Sequence, residues 1–293
     1  MAKDMFTKSW IIENSVQICS RYAPGVLTLR GLHYQLVGIG MTNDLQHYKR
    51  VVSAMIDARW DGDISFDQFS DLDRAMEGQT ESAPVVLEEE IERAKGQVRA
   101  WMVNYGRNRW EKQPIYPEVL IEKKALQGVF GPICRRHGVG LGACKGYPSL
   151  TFLNEMAERL QNIAYDGKHI VVLYFGDYDP SGEDIPRSIV ENLARFGVRV
   201  DLRRIALMKD QVLEWRLPPA PAKLTDSRTK NWDGLGQVEL DAVKPEKLQQ
   251  MCEEAILSVF DDDVYERLIE EEGQERTIYR AELRKFVNGL NDE

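Results

Sequence analysis

The sequence has no run of about eighteen apolar residues, so nothing in it reads as a membrane-crossing helix. Near the first residue, Lys3, Asp4 and Lys8 sit beside a short mixed segment without the apolar stretch of a secretory signal, and the expectation is a cytoplasmic protein. Cysteine is sparse: Cys19, Cys134, Cys144 and Cys252 are scattered without a CxxC pair. That spacing indicates neither a zinc site nor a disulfide framework, and leaves reduced, mostly buried thiols. A GxxxxGK[ST] loop is missing, which excludes an ATPase of that type. There is no internal repeat and no low-complexity tract. Excess positive charge is absent as well: a net charge of -9 excludes a chain that coats nucleic acid by bulk attraction, because phosphate contacts come from Lys and Arg. Any contact with DNA must therefore be local.

What is present is enough for a substantial core: 293 residues, 43% of them hydrophobic, a length that suits two domains better than one. Charge is unevenly placed. The first sixty residues and residues 99–124 lean basic, whereas residues 61–92 and the tail from Glu253 onward are acidic.

The spacing of apolar residues predicts a helix over residues 10–22, stopped by Pro24-Gly25. Thr28 is a good cap for a second helix carrying Leu29, Leu32, Leu36 and Val37 and ending at Gly38-Ile39-Gly40. Thr42, Asn43 or Asp44 can cap a third, with Leu45, Tyr48, Val51, Val52, Met55 and Ile56 at helical intervals. Residues 64–69 alternate like an edge strand. Three helices and a strand in this order predict a winged helix-turn-helix over residues 1–75. Residues 76–112 read as a connector, polar and turn-rich at 76–84 and a charged amphipathic helix at 85–105.

From residue 113 the pattern becomes α/β. Strands are expected at 118–122, 139–143, 169–175 and 198–205, and helices at 125–136, 150–164, 185–196 and 244–260. Such alternation predicts a parallel sheet. Residues 216–238 form an excursion, and the acidic tail from Asp261 is a solvated helical extension of this domain.

Two strands end in acids. Val171-Val-Leu-Tyr-Phe-Gly-Asp177-Tyr-Asp179-Pro-Ser-Gly182 runs an apolar strand into two carboxylates, and the strand around Val119 ends at Glu122. In a parallel sheet the C-terminal strand ends form the ligand-binding edge, so neighbouring strands would bring Glu122, Asp177 and Asp179 together. Three unpaired carboxylates repel, and Mg²⁺, a hard cation that prefers oxygen ligands, would neutralise them. The plainer reading is that Asp177 and Asp179 cap a turn and a helix.

In that order, Glu122 in VLIEKKAL, Lys145-Gly146-Tyr147-Pro148 and Asp177-x-Asp179-Pro-x-Gly182 resemble the Toprim domain of the topoisomerase VI A subunit and its meiotic double-strand-break relatives. The stretches Arg204-Ile-Ala-Leu and Val238-Glu-Leu-Asp-Ala242 are similar to that family too. The resemblance spans about residues 10–260 and implies Mg²⁺ held by Glu122, Asp177 and Asp179, with Lys145 near the cleaved strand. It also implies a nucleophilic tyrosine in the winged helix, within a T-x-R-x-x-x-Y pattern. Thr28-Leu-Arg30-Gly-Leu-His33-Tyr34 fits, so Tyr34 is the position carried over and Arg30 its companion one helical turn away. Many members have an aromatic residue where His33 stands.

A phenol needs help to attack, and metal with Arg30 or His33 could supply it. Tyr34 could equally be a core aromatic of its helix, with Tyr22 and Tyr48 as further candidates. Lys49, Arg50 and Arg59 would suit groove or backbone contact and are also ordinary solvated positions.

The expectation is a type IIB topoisomerase A-like enzyme. It would break double-stranded DNA by Tyr34 transesterification, leaving a 5'-phosphotyrosyl link, and be nucleoid-associated. The resemblance implies a homodimer in which the tyrosine of one copy meets the metal site of the other, and a separate ATPase subunit if strand passage is ATP-driven. The alternatives are a metal-dependent nuclease that activates water with the same acids, Tyr34 being structural, and a DNA-binding protein with a vestigial site.

Overall fold

The computed structural model describes residues 5–22, 26–69, 86–219 and 236–289. The expected break at Pro24-Gly25, the connector at 76–84 and residues 220–235 of the excursion lie outside these. The chain forms two compact units: Met1–Ala75 with Ile115–Val259, and Met76–Pro114 with Phe260–Glu293.

In the larger unit α1 (Lys8–Tyr22), α2 (Leu29–Gly38) and α3 (Leu45–Trp60) come first. Their starts follow from capping. The Thr28 hydroxyl accepts the Gly31 N–H at 2.8 Å, and Asp44 accepts the His47 N–H at 2.7 Å, each satisfying a donor that the first helical turn leaves unpaired. Ile11, Ile18, Leu32, Leu36, Val51 and Met55 close a core between the helices. The strand expected at 64–69 is not there. Phe66–Gln68 is a turn of 3₁₀ helix, and only Phe69 pairs, through a single parallel bridge to Leu27. Alternating polarity marks a half-buried segment but supplies no partner, and Leu27 is one residue long as a partner.

The sheet is all parallel, with β1 (Ile115–Ile121), β2 (Gly140–Ala143), β3 (His169–Phe175) and β4 (Asp201–Ala206) in the order β2-β1-β3-β4. The connections are α5 (Gln127–His137), α6 (Leu150–Tyr165) and α7 (Pro180–Arg195). Ile170 to Phe175 are all buried because helices cover both faces, which is why this strand reads as a continuous apolar run. On one face Leu153, Met156 and Leu160 of α6 and Ile185, Ile189 and Leu193 of α7 meet Leu120, Val172 and Tyr174, each worth about 1.5–3 kcal/mol when buried. The helix α7 starts five residues before the expected Ile185, because Asp179 caps it and Pro180 suits its first turn. The first crossover runs from β1 to one side and the connection after β3 to the other, so the β1/β3 boundary is a topological switch point. Helices α8 (Lys209–Glu214) and α9 (Pro245–Leu257) complete the unit.

The smaller unit pairs α4 (Leu87–Val103) with α10 (Asp262–Gly289). No residue of α4 is buried, and Leu268 is the buried one on α10. Arg107 joins Glu111, Glu271 at 2.9 Å and Glu275 at 3.5 Å. The Tyr105 and Tyr279 rings lie 4.9 Å apart, and Arg109 stacks over Phe260 at 4.5 Å. No helix among the described residues is long and apolar enough to cross a membrane.

Candidate metal centre and nucleophile

β1 and β3 are neighbours, with Ile121 paired to Phe175, so Glu122 and Asp177 emerge side by side at the switch point. The Glu122 N–H continues the ladder to the Phe175 carbonyl at 2.9 Å. The Asp177 N–H donates to Glu122 Oε2 at 2.9 Å, and the Tyr174 hydroxyl reaches the same oxygen at 3.5 Å. Both acids are buried. Burial raises the Glu122 pKa, opposed by the Asp177 N–H and reinforced by the Asp179 charge. Burial likewise pushes Asp177 up to about 7, with Lys123 opposing and Glu122 adding to the rise.

Asp179 lies within electrostatic reach of Glu122, but its Oδ1 is turned to the Gly182 N–H at 2.6 Å as the α7 cap. The plainer sequence reading of this acid is therefore part of its role. Gly182 makes the tight turn possible: a Cβ there would stand 2.2 Å from the Asp177 carbonyl oxygen, where no side chain fits. Arg204 of β4 clamps the loop from below, donating to the Asp177 carbonyl at 2.8 Å and the Gly182 carbonyl at 3.0 Å.

Sequence reasoning assigned no role to Lys123, Glu239 and Asp241, and the structure gathers them here. Tyr178 and Val238 form an antiparallel bridge, and the Leu240 N–H donates to Asp177 Oδ1 at 2.8 Å. This lays residues 238–242 along the strand ends. Lys123 Nζ sits 3.0 Å from Asp177 Oδ2, 3.1 Å from Asp241 Oδ2 and 3.7 Å from Glu239 Oε2. Burial works against this ammonium, yet the charges of Asp177, Asp241 and Glu239 outweigh it and hold its pKa above the ordinary value. The available signals were the likeness of the stretch Val238-Glu-Leu-Asp-Ala242 to the family named above and its two acids spaced, like Asp177 and Asp179, two residues apart.

The same segment receives α2. The Thr28 hydroxyl donates to Asp241 Oδ1 at 2.6 Å while capping the helix. The Tyr34 hydroxyl donates to Glu239 Oε2 at 3.1 Å, and Arg30 Nη1 lies 3.2 Å from that oxygen. Tyr34 is 3% exposed. Burial and the Glu239 charge push its phenol above the ordinary range, with Arg30 pulling the other way. Tyr34 is thus joined to the strand-end acids of its own chain through Glu239, Lys123 and Asp177.

The other candidates fall elsewhere. Lys145 is exposed, in a left-handed conformation with φ 55°, and the following Gly146 N–H reaches the Glu122 carbonyl at 3.4 Å, so its loop is tied to the end of β1. His33 is buried and turns Nε2 to Asn43 Oδ1 at 3.3 Å. Burial lowers its pKa. Tyr48 lies under Arg30, whose guanidinium is 4.8 Å from the ring centre. Burial raises the Tyr22 pKa, and the Glu246 charge adds to the rise. Arg59 donates to the Met55 carbonyl at 3.0 Å and covers Phe69, while Arg50 holds the Phe6 carbonyl.

Glu122, Asp177 and Asp179 offer only hard oxygen donors, the chemistry Mg²⁺ prefers. Glu122 engages the Asp177 N–H through Oε2 and Asp179 the Gly182 N–H through Oδ1. Among the described residues, no three His, Cys, Asp or Glu side chains are gathered as a ready-made metal cluster. Lys123 supplies the compensating positive charge at Asp177 instead. Comparison with protein-family models, with curated proteins and with solved structures finds no match to this chain.

Proposed function

We propose that this protein is a topoisomerase VI A-like enzyme that cleaves double-stranded DNA by transesterification, with Tyr34 as nucleophile and a Mg²⁺ site at Glu122, Asp177 and Asp179. On this reading α1 to α3 are the winged helix-turn-helix and the parallel sheet is a Toprim domain. The observation that carries the proposal is the junction itself: two buried strand-end acids at a switch point, joined through Lys123 and Glu239 to a tyrosine hydroxyl. Charge of this density is costly to bury unless it is paired, as Lys123 and Arg30 pair it here, and ionisable groups perturbed in this way gather at functional sites.

In the reaction the Tyr34 oxygen attacks a DNA phosphorus and the sugar 3'-oxygen leaves, giving a 5'-phosphotyrosyl link that stores the bond energy needed for resealing. Arg30 lies beside the hydroxyl, where its guanidinium would face the phosphate. Lys145, on the loop tied to the end of β1, would hold the cleaved strand. A bound Mg²⁺ would supply charge stabilisation to the phosphate oxygens. We further propose a homodimer acting in the cytoplasm at the nucleoid, with a separate ATPase subunit where strand passage is driven.

The second reading, a Toprim-type nuclease that activates water, is favoured by the burial of Tyr34. Supercoiled plasmid incubated with protein and Mg²⁺, then treated with detergent and protease, separates the two. Protein-linked breaks lost in both Tyr34→Phe and Asp177→Ala are expected. Protein-free breaks that survive Tyr34→Phe but not Asp177→Ala would replace the topoisomerase reading with the nuclease one.

A further inference from the structure

The proton on Tyr34 must go somewhere for the phenol to attack at neutral pH. Arg30, the nearest cation, cannot accept it, since a guanidinium has donors only. His33, the other sequence candidate, turns Nε2 to Asn43 and leaves Nδ1 buried without a hydrogen-bond partner, so neither ring nitrogen is bonded to the Tyr34 hydroxyl. The carboxylate that the hydroxyl already points at is Glu239, at 3.1 Å, within the reach a general base requires. Its Oε2 is fixed from two further sides, by Arg30 at 3.2 Å and Lys123 at 3.7 Å, and the segment bearing it is pinned by the Tyr178–Val238 bridge and the Leu240–Asp177 hydrogen bond. A carboxylate held this way meets the proton without searching for it.

From this geometry we infer that Glu239 is the catalytic base for Tyr34; the inference rests on the cleavage reading above. As the Tyr34 oxygen forms its bond to phosphorus, its proton passes to Glu239 Oε2. The bond from phosphorus to the sugar 3'-oxygen breaks, and that oxygen leaves with the electron pair and takes a proton from solvent. In resealing the 3'-hydroxyl oxygen attacks phosphorus and releases its proton to solvent, the phosphotyrosyl bond breaks, and Glu239 returns its proton to the Tyr34 oxygen. The same carboxylate serves both directions, as a reversible cut requires.

The test measures the rate of covalent protein–DNA adduct formation on supercoiled plasmid with Mg²⁺, using the full chain. It compares wild type, Glu239→Gln, Glu239→Asp, and each with 2,3,5-trifluorotyrosine at position 34, whose hydroxyl ionises without a base. Glu239→Gln is expected to lower the rate roughly 10²–10⁴-fold at unchanged DNA affinity, the range for general-base catalysis. Glu239→Asp keeps the charge facing Arg30 and Lys123 but withdraws the oxygen by one methylene, so it should fold and lose an intermediate amount. If the Gln chain does not fold, the Asp chain carries the test. The fluorinated tyrosine should restore most of either loss, which it would not do if Glu239 merely braced the fold. A wild-type rate in Glu239→Gln, or a loss that the fluorinated tyrosine leaves in place, would overturn the role of Glu239 alone. Absence of any adduct from wild type would overturn the cleavage reading itself, and this role with it.

Discussion

The sheet-containing unit buries a cluster of acids around one lysine beside its apolar core, whereas the α4–α10 unit carries its ion pairs in a more exposed net around Arg107. In the first, apolar burial supplies the stability and the polar groups are a burden that must be matched. In the second there is almost no apolar core, and aromatic stacking with many weak ion pairs takes its place. A buried charge network in a unit already stabilised by its core adds a cost that pairing must offset, while the more exposed one helps to hold two helices together.

Substitutions can break this comparison. The largest effect should come from Lys123→Met, which removes the cation paired with Asp177 and Asp241 and leaves Glu239 with Arg30. A loss of about 3–5 kcal/mol is expected, or roughly 6–20 °C in melting temperature for a unit of this size. Lys112→Met in the smaller unit, where the lysine pairs with an exposed Glu271, should stay within about 0.5 kcal/mol. Equal losses at the two lysines, read by calorimetry, would abolish the distinction. Next, Leu173→Ala in β3 should cost about 2–5 kcal/mol by opening a cavity, and Leu268→Ala in α10 the low end of that range, because a half-exposed helix pair can close the gap.

The acid site should also set a pH slope. Asp177 has a folded pKa raised to about 7, so its contribution favours the fold below the ordinary carboxylate range and is lost as pH rises through 7. Melting in a chelating buffer between pH 5 and 8 should show a decline on the order of a few kcal/mol that Asp177→Asn removes. A slope that survives the substitution would assign it to another group. Mg²⁺ should act oppositely, binding more tightly as the carboxylate ionises. The smallest and most local effect is expected from Arg107→Ala, with faster amide exchange along α10 and unchanged exchange in β3.

Much of this was legible in the chain. Thr28, Asp44 and Asp179 mark helix starts through local hydrogen bonds, which sequence spacing records directly. The strand ends placed Glu122 and Asp177 at one edge because parallel topology leaves few alternatives. Glu239 was not legible as Tyr34's partner, since their hydrogen bond spans 205 residues and no local rule fixes which acid meets which helix. Lys123 was hidden differently: one of two adjacent lysines, it gave no sign of which would turn inward. The false strand at 64–69 failed for lack of a neighbour, a property of the whole fold.

The bridge between Tyr178 and Val238 has a consequence for the order of events as the chain is made. Contacts of long sequence separation form late, after the loop-closure entropy has been met, and a chain emerging N-terminus first exposes Tyr34 long before residue 239 exists. A nascent protein therefore carries its helix and both strand-end acids while Tyr34 still lacks Glu239, and the site is completed only once residue 239 has emerged.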